Sequence, residues 1–186
     1  MDTKDLQKKL KHLRKADSTS LIFGSATHRY ELKPVATEKD VAAFEARFAV
    51  KLPPAYRDFI LTVGNGGAGP GNGVLGLSQC LPHSFATMGE GCLSAPFLHK
   101  RQVASAALDP AIYDAGAIRV ADQGQGSFDL LLVTGEHRGL LWYDGLASAD
   151  ALIPCHYDFA EWYATWLDNA LQRFPMATGF WGLFSR

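Results

Sequence analysis

This 186-residue sequence has no long apolar run, few cysteines and almost no net charge. No stretch approaches the roughly 18 apolar residues of a membrane-spanning helix, and the N-terminus runs into lysines rather than the apolar segment of a secretory signal. The three cysteines, Cys80, Cys92 and Cys155, form no Cys-x-x-Cys pair, which argues against a disulfide framework and favours a reducing compartment. These absences predict a cytoplasmic protein that does not bind membranes.

The composition, 47% hydrophobic and 20% charged, is typical of a globular domain, and the length fits one domain better than two. Leu6, Leu10 and Leu13 follow helical spacing and predict an amphipathic helix over residues 3–16. A capping box at 37–40 begins a second helix. Pro54 begins a third helix, and aromatic residues at helical spacing predict a last one over 158–173.

Three short apolar segments in the C-terminal half, residues 117–121, 128–134 and 140–143, are separated by tight turns. Because parallel strands need crossovers of a dozen or more residues, these segments predict an antiparallel meander. Residues 79–116 show no clear pattern. The predicted fold class is therefore α+β, with an antiparallel meander packed against several helices in a single domain.

Residues 64–73 form a glycine-rich loop, and G-x-G-x-x-G occurs twice, at 64–69 and 71–76. A dinucleotide-binding fingerprint must follow a strand and open a helix. Here the first copy follows a helix, and Val74 onward resembles a strand. We therefore interpret the stretch as a helix C-cap and a flexible loop. Binding of a nucleotide or another small ligand by this loop is the less favoured alternative.

No catalytic or metal-binding motif stands out. Cys80, His83 and Cys92 lie close in sequence, but tetrahedral zinc needs four ligands at recognisable spacing. The six histidines are scattered, and nothing selects a catalytic set among the acidic residues. We therefore predict no catalytic residue, no cofactor and no metal ion.

Charge is distributed unevenly, although the formal net charge is only −1 and does not suggest a nucleic-acid partner. Residues 1–60 carry 12 basic and 8 acidic residues, whereas residues 102–168 carry 10 acidic residues and 2 arginines. Such charges are often merely solvated, but an asymmetric field can steer a basic partner. The residues predicted to form an acidic partner-binding surface lie at turns and strand ends: Asp122, Asp129, Glu136, Asp144 and Asp150.

Three blocks of sequence resemble the SUKH superfamily, which includes fungal cell-wall assembly regulators and many bacterial proteins. The first block runs from Phe44-Glu45 through Leu52-Pro53-Pro54-Ala55-Tyr56-Arg57-Asp58-Phe59-Ile60 to Asn65-Gly66-Gly67. The second contains Asp122-Gln123-Gly124, Asp129-Leu130-Leu131-Leu132-Val133-Thr134-Gly135, Gly139, Leu141-Trp142 and Asp144. The third contains Phe159, Trp162 and Trp166-Leu167.

The resemblance implies an α+β fold without catalysis, and in bacteria often an immunity protein that neutralises a secreted toxin, commonly a nuclease. We therefore expect a protein-binding module that occludes a basic toxin, with a regulatory scaffold as the alternative. The expected organisation is a helical extension at 1–36, the SUKH-like domain at 37–174 and an aromatic tail at 175–186. Because recognition surfaces vary with the toxin, the resemblance transfers no binding residue. The matching residues Leu52, Pro53, Tyr56 and Phe59 are interpreted as fold residues.

Overall fold

The computed structural model describes residues 2–149 and 151–176. Within these ranges the chain forms six α-helices: α1 (Thr3–Ala16), α2 (Ser25–His28), α3 (Glu38–Arg47), α4 (Pro54–Thr62), α5 (Phe85–Met88) and α6 (Phe159–Arg173). It also forms five strands: β1 (Val103–Ala104), β2 (Ala117–Gly124), β3 (Ser127–Leu132), β4 (Leu140–Asp144) and β5 (Ala151–Asp158). Among these residues, no helix has both the length and the apolar character needed to cross a membrane.

The strands form one sheet in the order β1-β5-β4-β3-β2, and every pair is antiparallel. The predicted fold class and the meander of β2, β3 and β4 are confirmed. The sequence reading did not assign β5, whose pattern is interrupted by Pro154 and by His156 with a left-handed φ of 61°. A register shift between Leu140 and Trp142 accompanies this irregular strand.

The sheet is covered on both faces. One face packs under the helices, because alternation on β3 places Leu131 in the same core as Phe159 and Tyr163 of α6. The other face carries Leu130 and its neighbours, and it is covered by the segment at 97–113, including Phe97 and Tyr113. The later part of the unpatterned stretch 79–116 thus covers the second face of the sheet, whereas Cys80, Cys92 and Leu93 belong to the main core.

The predicted long helices are confirmed. Thr37 and Asp40 form the expected capping box of α3, and a second box, unnoticed in the sequence, joins Asp158 to Glu161 at the start of α6. The three leucines of α1 are buried in the main core, and His12 Nε2 lies 2.9 Å from the Phe174 carbonyl oxygen beyond α6. The N-terminal extension therefore shares the core of the domain. The aromatic part of the predicted tail, residues 177–186, lies outside the described residues.

Glu45 organises the first sequence block. Its buried carboxylate accepts the backbone N–H of Leu52 at 2.9 Å and the ammonium of Lys51 at 2.8 Å, which fixes the turn between α3 and α4. That turn directs Leu52 and Tyr56 into the core, where the Tyr56 hydroxyl donates to the Leu75 carbonyl at 3.1 Å. Glu45, Leu52 and Tyr56 are buried and shape the fold.

Candidate functional site

The four predicted acidic residues that the structure describes do not share one surface. Asp129 and Asp144 are only 5% and 1% exposed, whereas Asp122 is half-buried and Glu136 is exposed. Asp122 and Asp144 lie at the end of the sheet where β2 turns into β3, and Glu136 lies in the β3–β4 turn at the opposite end. Asp150 lies outside the described residues.

Asp129 joins three elements inside the protein. Its Oδ2 accepts hydrogen bonds from Trp162 Nε1 of α6 at 3.1 Å and from the side-chain amide Nε2 of Gln123, which lies in β2. Burial raises the pKa of Asp129 to about 6, although both hydrogen bonds act in the opposite direction. Sequence alternation could not show that this carboxylate points at a helix rather than at solvent.

Asp144 belongs to a polar network on the second face of the sheet. It accepts the Tyr113 hydroxyl at 2.8 Å, and burial raises the pKa of the Asp144 carboxyl. The fully buried Asp114 accepts the Ser84 N–H at 2.8 Å and lies 3.7 Å from the Arg119 guanidinium. These interactions attach the covering segment to the sheet, so the role of Asp144 in the structure is internal.

The glycine-rich loop is a packed part of the sheet edge, which corrects the interpretation of a flexible loop. Single bridges link Ala121 of β2 to Val74, Val74 to Gly67, and Gly67 to Leu32, so the loop continues the sheet beyond β2. Gly67 has φ of 108°, and the carbonyl of Glu31 occupies the space that a Cβ would need. The loop follows α4 and leads into a bridge rather than a helix, which is not the arrangement of a dinucleotide fingerprint.

A buried carboxylate also organises the loop after α1, residues 18–24, which we call the Asp17 loop. Asp17 accepts the backbone N–H of Leu21 at 2.6 Å and that of Ile22 at 3.3 Å. It also accepts the hydroxyls of Ser25 and Tyr30, both at 2.7 Å. Burial acts to raise the pKa of Asp17, but these hydrogen bonds together lower it. The Asp17 carboxyl is therefore ionised, and this anion holds the loop in place.

The Asp17 loop presents large apolar side chains to solvent. Leu21 is 57% exposed and Phe23 is 63% exposed, while Ile22 between them packs against the main core. Sequence reading missed this pair because it follows neither a helical nor a strand period. The signal available was two large apolar residues in a short segment bounded by serines and Gly24.

Direct contacts join the Asp17 loop to the glycine-rich loop and to the β2–β3 turn. The backbone of Gly24 leaves no room for a Cβ against the Gly71 carbonyl. Thr27 Oγ1 lies 3.2 Å from Asn72 Oδ1, and the Asn72 N–H donates to the Asp122 carbonyl at 2.7 Å. We call the resulting surface, formed by residues 20–27, 70–74 and 122–126, the loop platform.

A hollow of about 490 Å³ opens beside the loop platform, and its lining residues include Lys33, Asn72 and Asp122. Among the predicted acidic residues that the structure describes, Asp122 is the one that lines this hollow. Its Oδ1 accepts the Gly124 N–H at 2.7 Å, which holds the carboxylate at the start of the β2–β3 turn.

Backbone strain is concentrated around the loop platform. Of the six non-glycine residues with positive φ in the described ranges, four lie in or beside it: Ser20, Arg29, Tyr30 and Gln125. Each such residue costs roughly 1–3 kcal/mol and persists only where surrounding contacts enforce it. Strain of this kind is typical of preorganised sites.

Within residues 2–149 and 151–176, no three His, Cys, Asp or Glu side chains are placed to hold a metal ion. Cys80 and Cys92 are buried, and burial raises the pKa of their thiols to about 12 and about 11. Both are therefore protonated thiols packed in the core at neutral pH.

The antiparallel sheet covered on both faces, with ordered loops joined at one end, defines a single-domain α+β fold. The chain belongs to the SMI1 / KNR4 family (SUKH-1), whose family model matches residues 35–165. The match covers α3, the whole sheet and about the first half of α6, and it leaves α1 and the Asp17 loop outside. A comparison with curated proteins finds no match.

Proposed function

We propose that this chain is a non-enzymatic protein-binding module of the immunity type, which neutralises a cognate toxin by covering its active site or substrate groove. Membership of the SMI1 / KNR4 family supports this proposal, because the SUKH group includes toxin immunity proteins as well as fungal regulators. The buried positions of the family motif residues agree with it, since they leave recognition to the surface.

The loop platform is the observation that carries the proposal. Three segments far apart in the sequence are joined there by backbone contacts and hydrogen bonds before any partner arrives. A surface that is already ordered loses little conformational entropy on binding, so more of the contact energy becomes affinity. Occlusion of a toxin needs such a surface rather than a reactive group.

The charge of Asp122 suggests that the proposed partner is basic. A nuclease toxin must hold a phosphate backbone, so its groove is basic. Asp122 stands at the edge of the loop platform, where it can attract such a groove and speed the encounter. The buried Asp129 and Asp144 are too enclosed to take part directly, while Glu136 faces the other end of the sheet.

The immunity proposal predicts that a secreted protein with a C-terminal toxin domain is encoded beside this gene, and the test uses that domain in a catalytically inactive form. We expect the chain to bind this domain and, when co-expressed with the active form, to restore cell growth. Asp122→Asn should slow association several-fold and weaken its dependence on salt, because rim charges act mainly on the association rate. Asparagine keeps the oxygen that accepts the Gly124 N–H, so the turn should survive.

Glu136→Gln is the matched control, because it removes one exposed acid at the opposite end of the sheet. It should leave the association rate and its salt dependence unchanged. A toxin domain that neither binds the chain nor is inhibited by it would contradict the immunity function. Equal effects of the two substitutions would leave that function in place and remove Asp122 from the contact surface.

A further inference from the structure

We infer that the Asp17 loop is the anchor and specificity element of this surface, with Leu21 and Phe23 inserting into an apolar cleft of the protein partner. The inference rests on the proposed function and assigns the main contact to a segment outside the family match, which begins at residue 35. The Asp17 carboxylate acts as a positioning residue, because it holds the loop that carries both side chains.

The exposure of Leu21 and Phe23 is the first argument. Apolar side chains that protrude from an ordered loop leave unfavourable surface in water, whereas aromatic anchors at the centre of an interface supply much of the binding energy. The half-buried Asp122 and Asn72 lie on the same platform. An apolar centre with a polar rim is the usual anatomy of a protein–protein contact.

The position of Asp17 is the second argument. It caps the C-terminus of α1, where the helix dipole disfavours a negative charge. A basic or neutral residue would stabilise that helix end better. The gain from an acid at this place lies in the four hydrogen bonds that it accepts from the loop and from Ser25 and Tyr30. The arrangement fixes the loop at the expense of helix stability.

The partner is a folded protein with an apolar cleft and basic residues beside it. The cleft receives Leu21 and Phe23, and the basic residues face Asp122. Arg14 and Arg29 line the hollow beside the Asp17 loop, so the surroundings of the apolar pair carry both signs of charge, which suits a protein partner better than a uniformly anionic membrane surface. Sequence changes within 18–24 would then redirect the protein to another toxin without altering the family core.

The test compares two double variants against the same inactive toxin domain. Leu21→Ala with Phe23→Ala should weaken binding by roughly 30-fold or more, the effect expected for loss of an interface anchor. The control is Leu98→Ala with Tyr157→Ala, whose side chains are 60% and 46% exposed. Both residues lie at the other end of the sheet. Leu98 follows Phe97, whose N–H donates to Thr134 Oγ1, and Tyr157 precedes Asp158, which pairs with Leu140. The control should bind within about 2-fold of wild type.

Asp17→Asn tests the positioning role. The amides of Leu21 and Ile22 should exchange faster with solvent in this variant, while amides of β3 keep their protection. Affinity should fall in the wild-type background but not further in the Leu21→Ala/Phe23→Ala background, because Asp17 acts through those two side chains. A purely structural role would add the same loss in both backgrounds.

Each outcome decides the inference. If the chain binds the toxin and the two double variants bind equally well, the anchor is elsewhere and only the proposed function stands. If the chain does not bind the toxin at all, the proposed function fails and this inference fails with it. If wild type dimerises and Leu21→Ala/Phe23→Ala is monomeric in sedimentation, a second copy covers the loop and the inference is wrong.

Discussion

The α3–α4 turn and the Asp17 loop are built by the same device and used in opposite ways. In each, a buried carboxylate accepts backbone N–H groups of the residues that follow, Glu45 from Leu52 and Asp17 from Leu21 and Ile22. The α3–α4 turn delivers its large side chains to the core, whereas the Asp17 loop delivers Leu21 and Phe23 to solvent.

The pKa values show that both carboxylates are held as anions. Burial acts to raise the pKa of each, but hydrogen bonds to Glu45 and Asp17, and for Glu45 also its basic neighbours Lys51 and Arg57, produce a net lowering. The difference lies in what the turn presents. The first region, inside the family match, specifies the fold, and the second, outside it, is available to specify a partner.

The largest expected effect separates an aromatic residue of each region. Tyr56→Ala should lower the free energy of unfolding by about 3–5 kcal/mol, because it empties a fully buried site. Phe23→Ala should change it by less than about 0.5 kcal/mol, because the ring is mostly in water. Urea unfolding of both variants measures the contrast. A large loss of stability in Phe23→Ala would show that this ring supports the fold, and the contrast between the α3–α4 turn and the Asp17 loop would be wrong.

Asp129 is also a buried carboxylate, but its pKa is raised, whereas the pKa values of Asp17 and Glu45 are lowered. Because its pKa is raised from 3.8 to about 6 in the folded state, the folded protein binds this proton more tightly than the unfolded chain does. Proton binding by Asp129 therefore contributes to the free energy of unfolding; this contribution is fully present below about pH 4 and is lost as the pH rises through about 6. It amounts to about 3 kcal/mol.

Asp129→Asn isolates this contribution, because asparagine keeps an oxygen for Trp162 Nε1 and cannot ionise. The variant should gain stability relative to wild type as the pH rises from 4 to 7, in urea unfolding at each pH. Only the difference is informative, because burial lowers the pKa of His28 to about 4 and gives wild type an opposite trend below about pH 6.5. A difference that does not vary with pH would refute the account of Asp129.

Much of the fold could be predicted, because local patterns encode it. Leu6, Leu10 and Leu13 specified α1, the Thr37 box specified the start of α3, and short turns specified the meander. The strand β5 could not be predicted in the same way, since Pro154 breaks its pattern and its partner β4 supplies the pairing. Residues 97–113 take their conformation from the sheet face that they cover.

The site was less predictable, because it depends on register and on contacts between distant segments. Position at a strand end suggested that Asp129 and Asp144 were exposed, but register and packing turn them toward Trp162 and Tyr113. The loop platform joins Thr27 to Asn72 and Asn72 to Asp122, and the residues of each pair are about 50 positions apart in the sequence. No local sequence pattern reveals such contacts.

The most direct test of the central claim is amide hydrogen exchange of the chain, free and bound to the inactive toxin domain. The account predicts new protection over the Asp17 loop and the loop platform, which together comprise residues 18–27, 70–74 and 122–126. Residues 97–99 and 134–140, at the opposite end of the sheet, should exchange at the same rate in both states. Protection of that opposite end with none over 18–27 would contradict the account.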